Sequence, residues 1–461
     1  MRHNNIMLIR SFLIRSQIHH NNITSRCQSS NSNWEVNQRP QDIIVHGNKY
    51  SCDEWTNITP KILSLSERKL HLNPKHPLGL IKQRVIDFMY SKYSNVRGNP
   101  LFSGNQQFNS VYKGRGFSVH QNLSPIVTLQ QNFDSLLVAQ DHTSRIKSDS
   151  YYLNKNYMMR AHTSAHQSEL ISMGLDNFLV VGDVYRRDSV DSSHYPVFHQ
   201  IEGVRLYEAH NFFDKVKGPK SHLKLFENDG VRTNGKQETH TLDSALLLEH
   251  DLKDCLLGLA KDLFGPDIEY RWVDCYFPFT HPSWELEIFW KNDWMEVLGC
   301  GIIEQEILKR CGAGDKIGWA FGLGLERLAM RLYQIPDIRL FWSTDSGFLR
   351  QFDSTDPKTP ITYKEISRCP PCVNDISFWL PSNVESYSEN DFYDLVRSVG
   401  GDNVEHVELF DTFFHPKKKM MSHAYRITYR HLEKTFRQEE ANEIHQKIEE
   451  MAANSLGVTI R

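Results

Sequence analysis

The densest chemistry in the chain lies between Gly182 and Glu202, in the run GDVYRRDSVDSSHYPVFHQIE. The apolar stretch Phe178–Val181 leads into Tyr185, Arg186, Arg187 and Asp188. A loop rich in Ser and Asp follows, and Tyr195 to Glu202 closes the run. The pattern predicts a strand, a loop and a strand. Alternation on the second strand sends Val197, His199 and Ile201 one way and Phe198, Gln200 and Glu202 the other. A carboxylate buried on such a face needs a partner, and hairpin pairing brings Arg186 close. A planar guanidinium beside carboxylates can grip phosphate and orient an amine. A surface hairpin with scattered charge has the same pattern, so this stretch alone leaves both readings open.

Two further stretches carry related chemistry. Met158–Gln167 joins a strand end to a helix expected over Ser164–Met173, with Thr163 or Ser164 as its N-cap. His162, Ser164 and Gln167 would then cluster at a helix N-terminus, which suits an anionic group. His162 and His166 stand four apart, but no HExxH and no third ligand accompany them, which argues against a metal. The run GWAFGLGLERLAM at 318–330 lacks the third glycine of a dinucleotide fingerprint. It reads as a strand whose glycines let a flat ligand approach the backbone, followed by a helix from Leu325. A helix start favours an acid. Glu326 fits that preference and Arg327 opposes it, so Arg327 is expected to face an anion.

The elements that must position these residues belong to a chain of 461 residues with net charge -3, enough for two or three domains. Near-neutral charge confines any nucleic-acid surface to a local patch. No run of 18 apolar residues suits a membrane span, and the eight scattered cysteines suggest no disulfide framework. Residues 1–34 contain no Asp or Glu, while Arg2, Arg10, Arg15 and Arg26 alternate with apolar and Ser/Asn residues. That is the composition of a mitochondrial transit peptide, expected over 1–35. A helical arm is expected over Asp53–Pro77, an amphipathic helix from His76-Pro77, and a surface insertion at 104–118. A long helix is expected over Gln237–Phe264, with Leu242, Ala245, Leu246, Leu248, Leu252 and Leu256 as its apolar side. Arg271–Pro282 reads as a strand, and Trp284–Gly301 as a hairpin with Asn292-Asp293 at its turn and Glu285, Glu287 and Glu296 on its strands. Residues 344–366, polar and proline-bearing, read as a linker. The tail gives the order βαββαβ, a ferredoxin-like domain over 367–461. Its lone Cys369-Pro-Pro-Cys372 offers no zinc site. The fold class expected is α+β: an antiparallel sheet with flanking helices over 36–343, then the ferredoxin-like domain.

Together these stretches resemble the class II aminoacyl-tRNA synthetases. Tyr185-Arg186-Arg187-Asp188 with its following strand is similar to that class's second motif, with Asp188 where most members have Glu. GLGLERLAM is similar to its third motif. Within the class the resemblance is to the phenylalanyl branch in its single-chain mitochondrial form. It is carried by AHTSAHQ (161–167), VGDVYRRD (181–188), YPVFHQIEGV (195–204), YFPFTHPS (276–283), EVLGCG (296–301), PDIRLFW (336–342) and NDISFWLP (374–381). The first motif is weak, represented by the helix from His76, and the insertion 104–118 departs from the family pattern.

The resemblance implies roles. Arg186 would hold the ATP α-phosphate, and His194 and Arg327 the β and γ phosphates, so that Arg186 and Arg327 are the catalytic residues. Glu296 would contact ATP or coordinate Mg2+. Ser164, Gln167, Gln200 and Glu202 would bind the amino and carboxylate ends of phenylalanine, with Ala165, His166 and Ile201 in the same pocket. Phe277 and Phe279 would pack on the substrate ring, with Cys300, Ala320 and Phe321 near its para edge. The implied partners are ATP, L-phenylalanine and tRNA(Phe), with no membrane, and the implied protein is a monomer of the mitochondrial matrix. A relative that only binds RNA would have lost the phosphate-binding residues; Arg186, His194, Glu202 and Arg327 are all present. In the tail, Lys417, Lys418, Lys419, Arg426 and Arg430 are expected to hold the tRNA backbone. Changes there are expected to leave activation untouched, because the ATP site lies in the other domain.

Overall fold

A computed structural model describes residues 40–461 apart from 94–117, 214–222, 291, 366–369, 382–386 and 433. The transit-peptide expectation, nearly all of the 104–118 insertion, and Cys369 lie outside the described residues. The described part opens with a hairpin that the sequence reading missed, β1 (Asp42–Val45) and β2 (Asn48–Ser51). Its two turn residues, His46 and Gly47, both take positive φ, as a two-residue turn between twisted strands requires. Of the arm expected over 53–77, only α1 (Pro60–Ser66) and a short turn of 3-10 helix are helical. Helix α2 (Pro77–Lys92) begins where expected. His76 caps it through Nδ1, Pro77 occupies the first turn, and Leu78, Ile81, Val85 and Met89 are buried.

Short strand β3 (Ser118–His120) precedes a hairpin-like pair, β4 (Ile126–Thr128) and β5 (Tyr157–Met159), with α3 (Leu129–Asn132) between them. Helix α4 (Gln167–Ser172) leads into β6 (Asn177–Tyr185) and β7 (Val197–Tyr207), the two strands expected around the Arg186 loop. After α5 (Ala209–Phe212) comes α6 (Leu242–Phe264). Its buried stripe runs Ala245, Leu248, Leu252, Cys255, Leu256, Leu259 and Leu263. Leu242 and Leu246, expected on that side, are exposed: Leu242 sits in the first turn, and Leu246 lies one residue off the stripe. Strands β8 (Tyr270–Phe277), β9 (Thr280–Trp290) and β10 (Asp293–Ile303) form a meander. Asp293 already pairs with Trp290, so the turn comes one residue earlier than expected. Helix α7 (Gln305–Arg310), strand β11 (Ile317–Gly324) and helix α8 (Leu325–Tyr333) complete the larger half.

These strands build a seven-stranded sheet in the order β3-β6-β7-β11-β10-β9-β8, antiparallel except at β3-β6. Period-2 alternation gives it two faces. Val181, Tyr185, Val197, Ile201, Trp319, Leu286 and Ile288 share one core with residues of α2, α6 and α8. The opposite face carries Phe198, Gln200 and Glu202 on β7 and Glu285 and Glu287 on β9. A second core, including Phe133, Phe178, Val180, Val204, Phe277 and Phe279, closes part of that face.

The stretch expected as a linker over 344–366 packs, in its described residues 344–365, on the larger half. It includes α9 (Ser346–Leu349), and Phe348, Phe352 and Tyr363 join the main core. The C-terminal domain contains β12 (Cys372–Trp379), α10 (Glu389–Gly400), β13 (Val404–His415), β14 (Met420–Tyr429), α11 (Gln438–Ser455) and β15 (Thr459–Ile460). Its sheet order β13-β14-β12-β15 is that of a ferredoxin-like fold. Tyr425, Ile427 and Tyr429 are fully buried under the helices, as alternation on β14 predicts.

Candidate active site

The second face of the large sheet holds a cleft between β7, β11, β10 and the start of α8. Arg186 stands where β6 ends. Its Nε donates to the Ala161 carbonyl (2.9 Å), and its guanidinium lies 5.3 Å from the Phe198 ring centroid. Burial pushes its pKa down to about 10, so it stays cationic at neutral pH. Opposite it, Arg327 emerges from the first turn of α8 and pairs with Glu296 of β10 (Nη1 to Oε2, 2.7 Å). His194 lies on the intervening loop. Asp191 shapes that loop by accepting from the Ser193 and His194 amides (2.7 and 2.9 Å), and it pairs with His194 Nδ1 at 2.6 Å. That hydrogen bond to Asp191 raises the imidazole pKa, which favours a cation there. Arg327 lies near enough to Arg186 and to His194 for its charge to act on both, so the three expected phosphate ligands stand together.

Glu285 and Glu296 project into the same cleft. Partial burial, and then the charges of Glu296 and Glu287, push the Glu285 carboxyl up to about 7. A raised carboxyl favours the neutral form in the fold. Its stabilising contribution is complete below the ordinary value of 4.5 and is lost as pH rises through about 7. The variant Glu285→Gln, neutral at every pH, should therefore match the wild-type melting midpoint at low pH and exceed it at pH ~8. A wild type that melts as high as the variant at the upper pH would contradict this origin of the shift.

Beside the cleft lies an open pocket with about 270 Å³ of empty space, the solvent at its mouth included. Among the expected residues, Ser164, Gln167, Glu202, Phe277, Phe279, Cys300, Ala320 and Phe321 line it. Thr280, Gly299 and Gly322 line it too. Gly322 belongs to the strand whose glycines were expected to admit a ligand, whereas Thr280 and Gly299 stood unremarked within YFPFTHPS and EVLGCG. Ser164 donates to Glu202 (2.8 Å), while both side-chain amide atoms of Gln167 are buried and make no hydrogen bond. The Phe277 and Phe279 rings stack with centroids 5.6 Å apart.

Four expected residues do not line this cavity. Gln200 is buried and accepts from the Thr163 amide (3.2 Å), which ties β7 to the AHTSAHQ segment. Ile201 belongs to the core on the opposite face of the sheet, as its odd position on β7 dictates. Ala165 packs in the second core. His166 turns to Arg160 (Nε2 to Nη1, 3.0 Å), and burial first, then Arg160, holds its pKa well below the usual imidazole value. Arg160 also donates to the Asp183 carbonyl (2.7 Å) and to its carboxylate (3.0 Å). That guanidinium lies across Gly182, where an added Cβ would come within 2.1 Å of it. The glycine of VGDVYRRD is a space for Arg160.

The surface expected for RNA is only partly as foreseen. Arg426 is tied by two 2.8 Å bonds to Asp375 and stacks on Phe410. Arg430 pairs with Glu405 at 2.9 Å. Cross-strand acids, invisible in a one-strand reading, engage both arginines. Lys417 and Lys419 stand exposed at the β13–β14 turn with Lys418, whose Nζ lies 5.2 Å from the Trp379 ring centroid.

Known proteins match this arrangement. The family model described as tRNA synthetases class II core domain (F) matches residues 86–245 and 236–352. The ferredoxin-fold anticodon binding domain matches residues 367–461. A mouse protein named phenylalanine--tRNA ligase, mitochondrial is 54% identical, with 90% of this chain and 88% of that protein covered. A Drosophila melanogaster protein named probable phenylalanine--tRNA ligase, mitochondrial is 52% identical, covering 92% of this chain and 93% of its own length. An Arabidopsis thaliana protein named phenylalanine--tRNA ligase, chloroplastic/mitochondrial is 44% identical over 89% of this chain and 83% of its own. With an arginine-lined cleft beside a ring-lined cavity on an antiparallel sheet, and with both halves of the chain matched, the chain belongs to the class II aminoacyl-tRNA synthetases, in the mitochondrial phenylalanine–tRNA ligase family.

Proposed function

We propose that this chain charges tRNA(Phe) in mitochondria, with the ring-lined cavity as its phenylalanine pocket and the Arg186–Arg327 cleft as its ATP site. The reaction joins L-phenylalanine to ATP and then to tRNA. A carboxylate oxygen of phenylalanine attacks the α-phosphorus, and pyrophosphate leaves. A ribose hydroxyl at the tRNA 3′ end then attacks the activated carbonyl, and AMP leaves. The carboxylate is itself the nucleophile, so the first step needs positioning and charge stabilisation rather than a general base.

The observation that carries this reading is the polar end of the cavity. Gln167 brings a buried amide with no hydrogen bond to the wall beside the Ser164–Glu202 pair, while Phe277 and Phe279 line the same space. An α-amino acid with an aromatic side chain satisfies both ends. Glu202 and Ser164 take the ammonium and Gln167 the carboxylate, with Gln200 fixing the Thr163 backbone behind them. Arg186 steadies the α-phosphate, and Arg327 and His194 the β and γ phosphates. Phe198, on the same face, offers adenine a flat surface. Glu296 and Glu285 fit a hard cation, because they are two crowded carboxylates whose repulsion an ion relieves. They would hold Mg2+, which when bound neutralises phosphate charge.

The reading takes residues 1–35 as a matrix-targeting peptide, 36–343 as the catalytic domain and 367–461 as the tRNA-binding domain, in a monomer. The test is phenylalanine-dependent ATP–pyrophosphate exchange, followed by charging of tRNA(Phe), with the purified chain lacking residues 1–34. Exchange driven equally by other amino acids, or none with phenylalanine, would overturn it. For the RNA surface, changing Lys417, Lys418 and Lys419 together to alanine should raise the KM for tRNA and lower its salt dependence, with a slope change of roughly 0.7–0.9 per lost phosphate contact. An unchanged salt slope would place the tRNA elsewhere.

A further inference from the structure

The loop between β6 and β7 bears Arg186 and His194, and the C-terminal domain grips it. Arg187, buried, donates to Asp391 (2.7 Å) and lies 3.3 Å from Asp394, both on α10. Arg397, one turn further along α10, donates to the carbonyls of Asp188 and Ser189. Val190 is 4% exposed and belongs to the apolar core of the C-terminal domain. Its carbonyl accepts from the Val407 amide of β13 at 2.9 Å. At the far end of the loop, Tyr195 donates to Asp402 at 2.8 Å. Three consecutive loop carbonyls, at 188, 189 and 190, thus take hydrogen bonds from the other domain. A buried backbone polar group without such a partner is costly, so this loop conformation depends on the C-terminal domain. Activation was expected to be untouched by changes at the basic residues of the tail; the contacts made by Asp391, Asp394 and Arg397 are a separate link between that domain and the loop.

We propose that the C-terminal domain takes part in amino-acid activation as well as in holding RNA. Arg397, Asp391 and Asp394 are positioning residues that hold the Arg186–His194 loop in the shape that receives ATP, before any tRNA is bound. The inference rests on the reading of Arg186 and His194 as ATP ligands. Arg397 touches no substrate; it acts through the backbone that sets the direction of the Arg186 and His194 side chains. Displacement of about 1 Å at such a site can cost up to 10²-fold in rate.

The test is ATP–pyrophosphate exchange without tRNA, on the full chain lacking only residues 1–34. Arg397→Ala should raise the KM for ATP by about tenfold or more, with the KM for phenylalanine unchanged. Arg397→Lys should recover part of the loss. Asp391→Asn, a milder change at a partly exposed group, should shift the ATP KM in the same direction. Lys434→Ala removes an exposed pair with Glu440 inside the C-terminal domain that involves none of the residues holding the loop, and should leave exchange unchanged. A wild-type ATP KM and kcat in Arg397→Ala would overturn the proposal. So would equal rises in both KM values with a lowered melting midpoint, which would mark a merely structural contact. If Arg186→Ala and Arg327→Ala also kept full exchange, the ATP-site reading itself would fail. If those two lost exchange while Arg397→Ala kept it, only the present inference would fall.

Discussion

Arg327→Ala is expected to lower phenylalanine-dependent ATP–pyrophosphate exchange by roughly 10²–10³-fold, the usual cost of removing one preorganised donor to developing charge. Arg327 sits on the first turn of α8, and in the structure its guanidinium is engaged by Glu296 at 2.7 Å. Its neighbour Glu326 anchors that turn, accepting from the His199 amide (2.8 Å) and pairing with His199 Nδ1 (2.6 Å) in the buried core. The side chain removed is therefore distinct from the one that fastens the helix. The fold should survive the change, and the melting midpoint should move little because Arg327 is 37% exposed. Arg186→Ala should behave alike, from the other wall of the cleft. Exchange near the wild-type rate in either variant, with an unchanged melting midpoint, would remove the arginine from the reaction.

The largest expected loss of stability comes from a residue outside the substrate cavity. Arg160 and Asp183 are both buried, and the pair is closed by the Tyr185 hydroxyl on Asp183 and by His166 on Arg160. Burial alone would raise the Asp183 carboxyl. Burial is the largest single influence, and only the Arg160 charge together with His71, His199 and the Tyr185 hydrogen bond overcomes it and holds the carboxyl below the usual range. Arg160→Ala leaves that carboxylate buried without its guanidinium, which costs about 3–5 kcal/mol. Gly182→Ala should act in the same direction, by pushing the guanidinium off the strand. Denaturant unfolding measures both. A loss below about 1 kcal/mol for Arg160→Ala, in the range of an exposed pair, would mean that Asp183 finds another partner.

Much of the site was legible because it lies on regular elements. On β7 a period of two sorted Phe198, Gln200 and Glu202 from Val197, His199 and Ile201, and the structure puts Ile201 in one core and Glu202 at the cavity. The oddity of Arg327 in a helix start pointed to an anion, and the cleft it enters also receives Arg186 and His194. Capping and proline placement located α2 to within a residue. The ferredoxin-like order followed from element sequence alone, since two helices alternating with four strands leave few antiparallel arrangements.

What the local pattern could not show is contact between segments distant in the chain. Arg426 and Arg430 read as free cations until Asp375 and Glu405 arrived from neighbouring strands. The stretch 344–366 read as a tether by composition, yet three of its rings complete the main core. His166 reads as a pocket residue by resemblance, and Arg160, six residues earlier, turns it away. Periodicity and capping act within a few residues, and they were enough for the two folds, the strand that presents Glu202 and the helix that presents Arg327. Long-range packing settles which charges are already paired, where Gly182 makes room for Arg160, and that α10 of the second domain holds the Arg187–Val190 backbone. Those depend on residues as far as 209 positions apart, brought together by packing.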